Sequence, residues 1–256
     1  MRKLRYVIAI TAVIFIAADA LAWSAEVNKA ILKFAEGHLS KKAKKEVAEI
    51  LDAPLHSIKF AGKGKCITRL DENGKSVTMD KKDAVVRLEE AIAVLSDNSG
   101  SAIERKEALH TVVEMAVDIH CPSNILIDKH HEKEDFVFGR DNGRPKTSRW
   151  YKLQEWHWRD MWHSRYHLSH GAFSAEMYVY DWSIATRGMA KKYKKEPVDP
   201  RKWAEKTGER VLRSLEIFQP DREVNMLEIT KQEPVNDAAM HDAAFHLAAL
   251  LNATLK

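Results

Sequence analysis

Along this chain apolar residues recur mostly at intervals of three and four, the period of a helix that buries one face. Val27, Ile31 and Phe34, then Val47, Ile50 and Leu51, predict two opening helices, with Ser40 placed to cap the second. Ile67-Thr68-Arg69-Leu70 and Ser76-Val77-Thr78-Met79 flank Asp-Glu-Asn-Gly, which predicts a small hairpin. A third apolar stripe runs from Val85 through Leu88 and Ile92 to Leu95 and ends at Asp97-Asn98-Ser99-Gly100. Ser101-Ala-Ile-Glu104 has the form of a capping box. It opens a helix carrying Leu109, Val112, Val113, Ala116 and Val117 as far as Pro122.

The stretch from Lys129 to Lys146, rich in charge, Gly and Pro, reads as an exposed loop. Residues 150–182 then hold five of the seven tryptophans and four of the twelve histidines. Asp199-Pro200 caps an amphipathic helix carrying Trp203, Val211, Leu212, Leu215 and Phe218. Asn236 is placed to cap a terminal helix with Met240, Ala244, Leu247 and Leu251. No repeat or linker interrupts the pattern. The expected fold is a single all-α, multi-helix domain with a small β-hairpin excursion.

The first residues follow a different logic. A basic start, an apolar run from Val7 to Ala18 and small residues at Ala20-Leu21-Ala22 have the form of a signal peptide over residues 1–22. An uncleaved membrane anchor is the other reading, and the run is short for a bilayer span. Cleavage would leave a domain of residues 23–256, soluble, periplasmic or secreted, with Trp23 as its first residue. Removing the leader takes the net charge from +4 to +2, so the overall charge carries little information about a nucleic-acid partner. The hydrophobic fraction of 45%, with only 10 Gly and 7 Pro, excludes a disordered chain and disfavours an all-β one.

Export matters for Cys66 and Cys121, the only cysteines. In an oxidising compartment they can pair as a disulfide; otherwise both are small buried apolar residues.

Candidate chemistry begins with His110, Glu114 and Asp118, which recur every four residues and share one side of a helix. His nitrogen with carboxylate oxygen suits zinc or a harder ion, and a solvated stripe opposite the apolar face has the same spacing. His163 and His167 are also four apart, either as two ligands or as the rim of a helix that buries Trp156 and Trp162. The tryptophans interleaved with Arg149, Arg159 and Arg165 suit base stacking and phosphate binding, or core packing.

Together these segments resemble the zinc-dependent phospholipase C and single-strand-specific nuclease superfamily. Trp23 falls where that family has its mature N-terminal Trp, which binds zinc through its amine and carbonyl. Ala108-Leu-His-Thr through Asp118-Ile-His-Cys-Pro-Ser-Asn-Ile125 is similar to the family helix ending in Gly-Asp-Ile-His-Gln-Pro-Leu-His, and the segments from Asp199 and from Ala238 resemble its closing helices. The resemblance implies an all-α fold with three zinc ions hydrolysing phosphodiester bonds in single-stranded nucleic acid, or another phosphate ester such as a phospholipid.

Residue by residue, the match is partial. Asn28 and Asn124 stand where the family has His, and Glu114 replaces its first central His. Asp118 corresponds to the bridging carboxylate, and Pro54-Leu55-His56 looks like a further ligand motif. The family's Leu-His-x-x-x-Asp meets Leu153-Gln154-Glu155-Trp156-His157-Trp158, which lacks both ligands; His157 and Asp160 are one residue too close. The resemblance therefore implies Trp23, His56, Glu114 and Asp118 as metal ligands, for fewer than three zinc ions. Asp118 and Glu114 become the catalytic residues, and Trp156, His157 and Asp160 become substrate contacts. An alternative is an inactive homologue that serves as a periplasmic binding or scaffold protein.

Overall fold

The computed structural model describes residues 23–60, 67–76, 80–97, 99–129, 135–165 and 170–255. The leader over residues 1–22, Cys66, His167 and the strand expected at 77–79 lie outside them. In chain order the elements are α1 (Ala25–Gly37), α2 (Lys41–Leu51), β1 (Thr68–Leu70), α3 (Ala84–Ser96) and α4 (Ala102–Asp118). Next come β2 (Ile125–Ile127), β3 (Val137–Asp141), β4 (Leu153–His157), α5 (Ala175–Ala185), α6 (Ala190–Tyr193) and α7 (Pro200–Leu215). The chain closes with β5 (Glu223–Val224), α8 (Met226–Thr230) and α9 (Glu233–Thr254). The protein is mainly helical, with two small sheets.

Several helix starts follow from side-chain caps that replace missing intrahelical partners. Ser40 accepts from the Ala43 amide, Asp83 from Val85 and Asp199 from Lys202. Ser101 and Glu104 form the reciprocal capping box. Pro122, just beyond Asp118, prevents α4 from continuing.

α9 is the central rod. It packs against α1, α4 and α6, and buried residues lie all round it, including Met240, Ala244, Phe245, Leu247 and Leu251. A helix enclosed in this way needs apolar or small residues on every face, which the alanines between its bulky residues supply. α3 and α4 form the tightest helix pair, and α5 covers the other flank of α1.

Four local expectations are corrected. The turn after Leu70 is present, with Gly74 at φ +74° and an antiparallel bridge between Leu70 and Ser76. However, β1 takes β2 as its ladder partner, in parallel, because Leu70 is drawn under α7: a Cβ on Gly208 would lie 2.4 Å from its Cδ1. The stretch expected to be a loop contains β3, where Phe138 is buried against Phe218 and Trp156. The tryptophan-rich segment begins as a strand, β4, antiparallel to β3, and only then turns through residues 158–160 into a wide π-helical turn at Met161–Arg165. Asn236 is not a cap: α9 starts at Glu233, and Asn236 faces inward at 2% exposure. Among the described residues no helix is long and apolar enough to cross a membrane.

Candidate functional site

The site implied at the chain start is built on α1. Ser24 caps the helix and so fixes Trp23 one residue before it, fully buried. The indole N–H of Trp23 donates to Asn236 Oδ1 at 2.9 Å. Its carbonyl accepts from Asn28 Nδ2 at 3.1 Å. Asn236 Nδ2 in turn donates to the carbonyl of Trp162 at 3.3 Å, which ties the π-helical turn to the same node. Asn28 is 1% exposed, and its Oδ1 has no hydrogen-bond partner among the described residues.

Glu114 and Asp118 lie one turn apart on α4, the first half-buried and the second buried. Where α4 ends, the chain folds Cys121, Ser123 and Asn124 into the interior. The Cys121 thiol lies 3.2 Å from Ser123 Oγ. Burial pushes that thiol up to about 12, Asp118 adds to the rise and Arg159 opposes it. Asp118 and Arg159 thus both act on Cys121, and the turn at Pro122–Asn124 touches the π-helical turn. The disulfide expectation involves Cys66, which lies outside the described residues.

Two of the four residues implied as ligands, Trp23 and His56, are kept apart by the length of α1. His56 sits in the turn after α2, with Nδ1 2.6 Å from Glu36 Oε2 in the last turn of α1. Trp23 is at the other end of that helix. Thirteen residues separate the two ends by about 20 Å. Atoms sharing one zinc ion lie within about 4 Å of each other. Trp23 and His56 therefore cannot hold the same ion, and the Trp23 carbonyl already receives an amide N–H. Among the described residues no three His, Cys, Asp or Glu side chains converge on a metal position.

The implied substrate contacts are also dispersed. Trp156 is buried, with the Arg140 guanidinium 5.1 Å over its ring. His157 is exposed at the end of β4, its Nδ1 2.9 Å from Asp135 Oδ2. Asp160 is half-buried in the next turn. Trp158 and Trp162 pack edge to face in the core. Of the interleaved tryptophans, Trp150 is the exposed one, with Arg149 4.8 Å over its ring.

A second polar cluster, which the sequence pattern did not single out, lies along the inner face of α9. His120 Nδ1 donates to the Ala116 carbonyl at 2.6 Å, and its Nε2 lies 2.7 Å from His246 Nδ1. His246 stacks on Trp203 with ring centroids 4.5 Å apart, and its Nε2 lies 3.1 Å from Glu196 Oε2. Burial lowers both histidines, His246 to about 4 despite the pull of Asp242. One turn earlier, Asp242 binds Arg210 and the Tyr193 hydroxyl, with Lys206 at 3.0 Å. Burial alone would raise Asp242, but Arg210, Tyr193 and Lys206 outweigh it and hold the carboxyl well below the usual range. The i, i+4 spacing of Asp242 and His246 was the available signal, and it was hidden within a helix that otherwise reads as apolar.

Neither a family model nor a curated protein sequence matches this chain.

Proposed function

We propose that this chain is an exported helical protein, related in design to the zinc nuclease and phospholipase C type, that works as a binding protein and not as a three-zinc hydrolase. The observation that carries this reading is the Asn28 amide. It donates to the Trp23 carbonyl at 3.1 Å, where the resemblance would place a histidine ligand and a metal. An N–H in that position satisfies the carbonyl and repels a cation. The remote position of His56 supports the same reading.

The test is metal stoichiometry and cleavage of single-stranded DNA, measured on protein that begins at Trp23. The expected result is correct folding without stoichiometric zinc and without chelator-sensitive cleavage. One zinc per chain with cleavage that ends on chelation, or on addition of a residue before Trp23, would overturn it.

A second reading, a reduced phosphodiesterase, draws support from Glu114 and Asp118. They remain one turn apart on α4, and Asp118 and Arg159 both act on the buried Cys121 thiol. Chelator-sensitive cleavage that disappears in Asp118→Asn, with folding intact, would establish it.

A further inference from the structure

α5 turns one side inward and, among the described residues, leaves the other without a covering element. Ala175, Tyr178 and Trp182 are buried, Trp182 edge-on to Phe34 of α1 at 6.0 Å. On the opposite side Met177 is 50% exposed, Tyr180 70% and Ile184 52%. Their i, i+3, i+7 spacing lines them up along the outer face. The Tyr180 carbonyl accepts from the Ser183 hydroxyl, so the row belongs to an ordered helix.

Basic residues bracket this row. Beyond its end the chain turns at Gly188, φ +85°, and presents Arg187, Lys191, Lys192, Lys194 and Lys195, all exposed. At its start Lys29 is exposed, and Lys33 reaches across from α1 to pair with Glu176. Seven cations thus flank the row, against four carboxylates: Glu176, Glu26, which accepts from the Ala175 amide at 2.9 Å, Asp181 on the outer face itself, and Glu196, which lies 3.8 Å from Lys192. Local charge is positive although the chain as a whole is close to neutral.

We propose that the outer face of α5, together with the lysine-rich turn around α6, docks on the surface of a membrane containing anionic phospholipid. Exposed aliphatic and aromatic side chains enter the boundary between headgroups and acyl chains, and Lys and Arg remain with the phosphates; this is the division of labour of an interfacial helix. Nucleic acid would use the cations but leaves Met177 and Ile184 without a role. A lipid surface engages both sets. None of the residues of this surface is among those implied as metal ligands or substrate contacts, so the docking holds whether or not the protein hydrolyses phosphate esters.

The experiment is co-sedimentation of the purified protein with vesicles of phosphatidylcholine alone and of phosphatidylcholine mixed with phosphatidylglycerol. The expected result is binding to the mixed vesicles that weakens with salt and is much reduced on the neutral ones. Tyr180→Asp, and separately the pair Lys191→Glu with Lys194→Glu, should each weaken binding about tenfold or more. Ile103→Asp, a comparably exposed apolar residue at the start of α4, should leave it unchanged. Unchanged thermal unfolding verifies that each variant is folded. Equal binding to both vesicle types, or full binding by Tyr180→Asp, would overturn the proposal. So would capture of a single-stranded oligonucleotide through the lysines with no vesicle binding.

Discussion

Trp23 and Asn236 lie 213 positions apart, and a 2.9 Å hydrogen bond from the indole to the amide oxygen joins them. The bond pins the beginning of the described chain to the first turn of its last helix. Because the same amide donates to the Trp162 carbonyl, one buried side chain joins three segments.

Asn236→Ala should therefore cost more than an exposed amide would. It orphans the buried indole N–H and the Trp162 carbonyl, each a loss of about 1–3 kcal/mol. Urea unfolding should show a lowered midpoint, with Asn236→Asp intermediate because it keeps the acceptor. A change no larger than for a surface asparagine would mean that the node contributes nothing to stability.

Gly208 sits inside α7, where alanine would normally gain about 1 kcal/mol in helix propensity. Here its Cβ would meet Leu70, which is fully buried and held in β1. Overpacking costs about 1–3 kcal/mol and should win. Gly208→Ala is expected to lower the melting temperature, and Gly208→Ala with Leu70→Val should recover part of the loss.

Asp242 holds Arg210, whose side chain is only 9% exposed. Asp242→Asn leaves that guanidinium charged and uncompensated, at a cost of about 3–5 kcal/mol. Because the folded carboxyl is depressed below its ordinary 3.8, its contribution is complete above that pH and fades as acid takes the group through its folded value. Chemical denaturation of the variant near neutral pH measures the loss.

His246 acts with the same sign, its contribution also fading in acid, but in a higher window. Its folded value of about 4 lies below the ordinary 6.5, so the neutral ring is the form the fold prefers. Stability from this group is full above pH 6.5 and is lost as pH falls toward 4, by on the order of 3 kcal/mol. Urea midpoints measured across that range should decline in the native protein. In His246→Gln they should decline less steeply, and an identical slope would remove His246 as the cause.

Much of the helical framework was legible without coordinates. Ser40 and Asp199 act as caps, Ser101 and Glu104 form the capping box, and Pro122 ends α4 just beyond Asp118, because caps and stops act on neighbouring backbone groups. The strands were less legible. β3 and β4 are short, and their residues extend because each finds a ladder partner in the other, a nonlocal condition that periodicity does not encode.

The candidate site divides along the same line. Local pattern placed Glu114 and Asp118 on one face of a helix and Trp23 just before another, since a turn of helix has the same rise in every protein. Tertiary structure decided what those residues meet. His56 turned to Glu36 at the far end of α1, Asn28 closed on the Trp23 carbonyl, and Asn236 became a clamp because a buried amide needs hydrogen-bond partners within the fold. Spacing along a chain determines which side chains share a face; only the packing of helix on helix determines which faces come together.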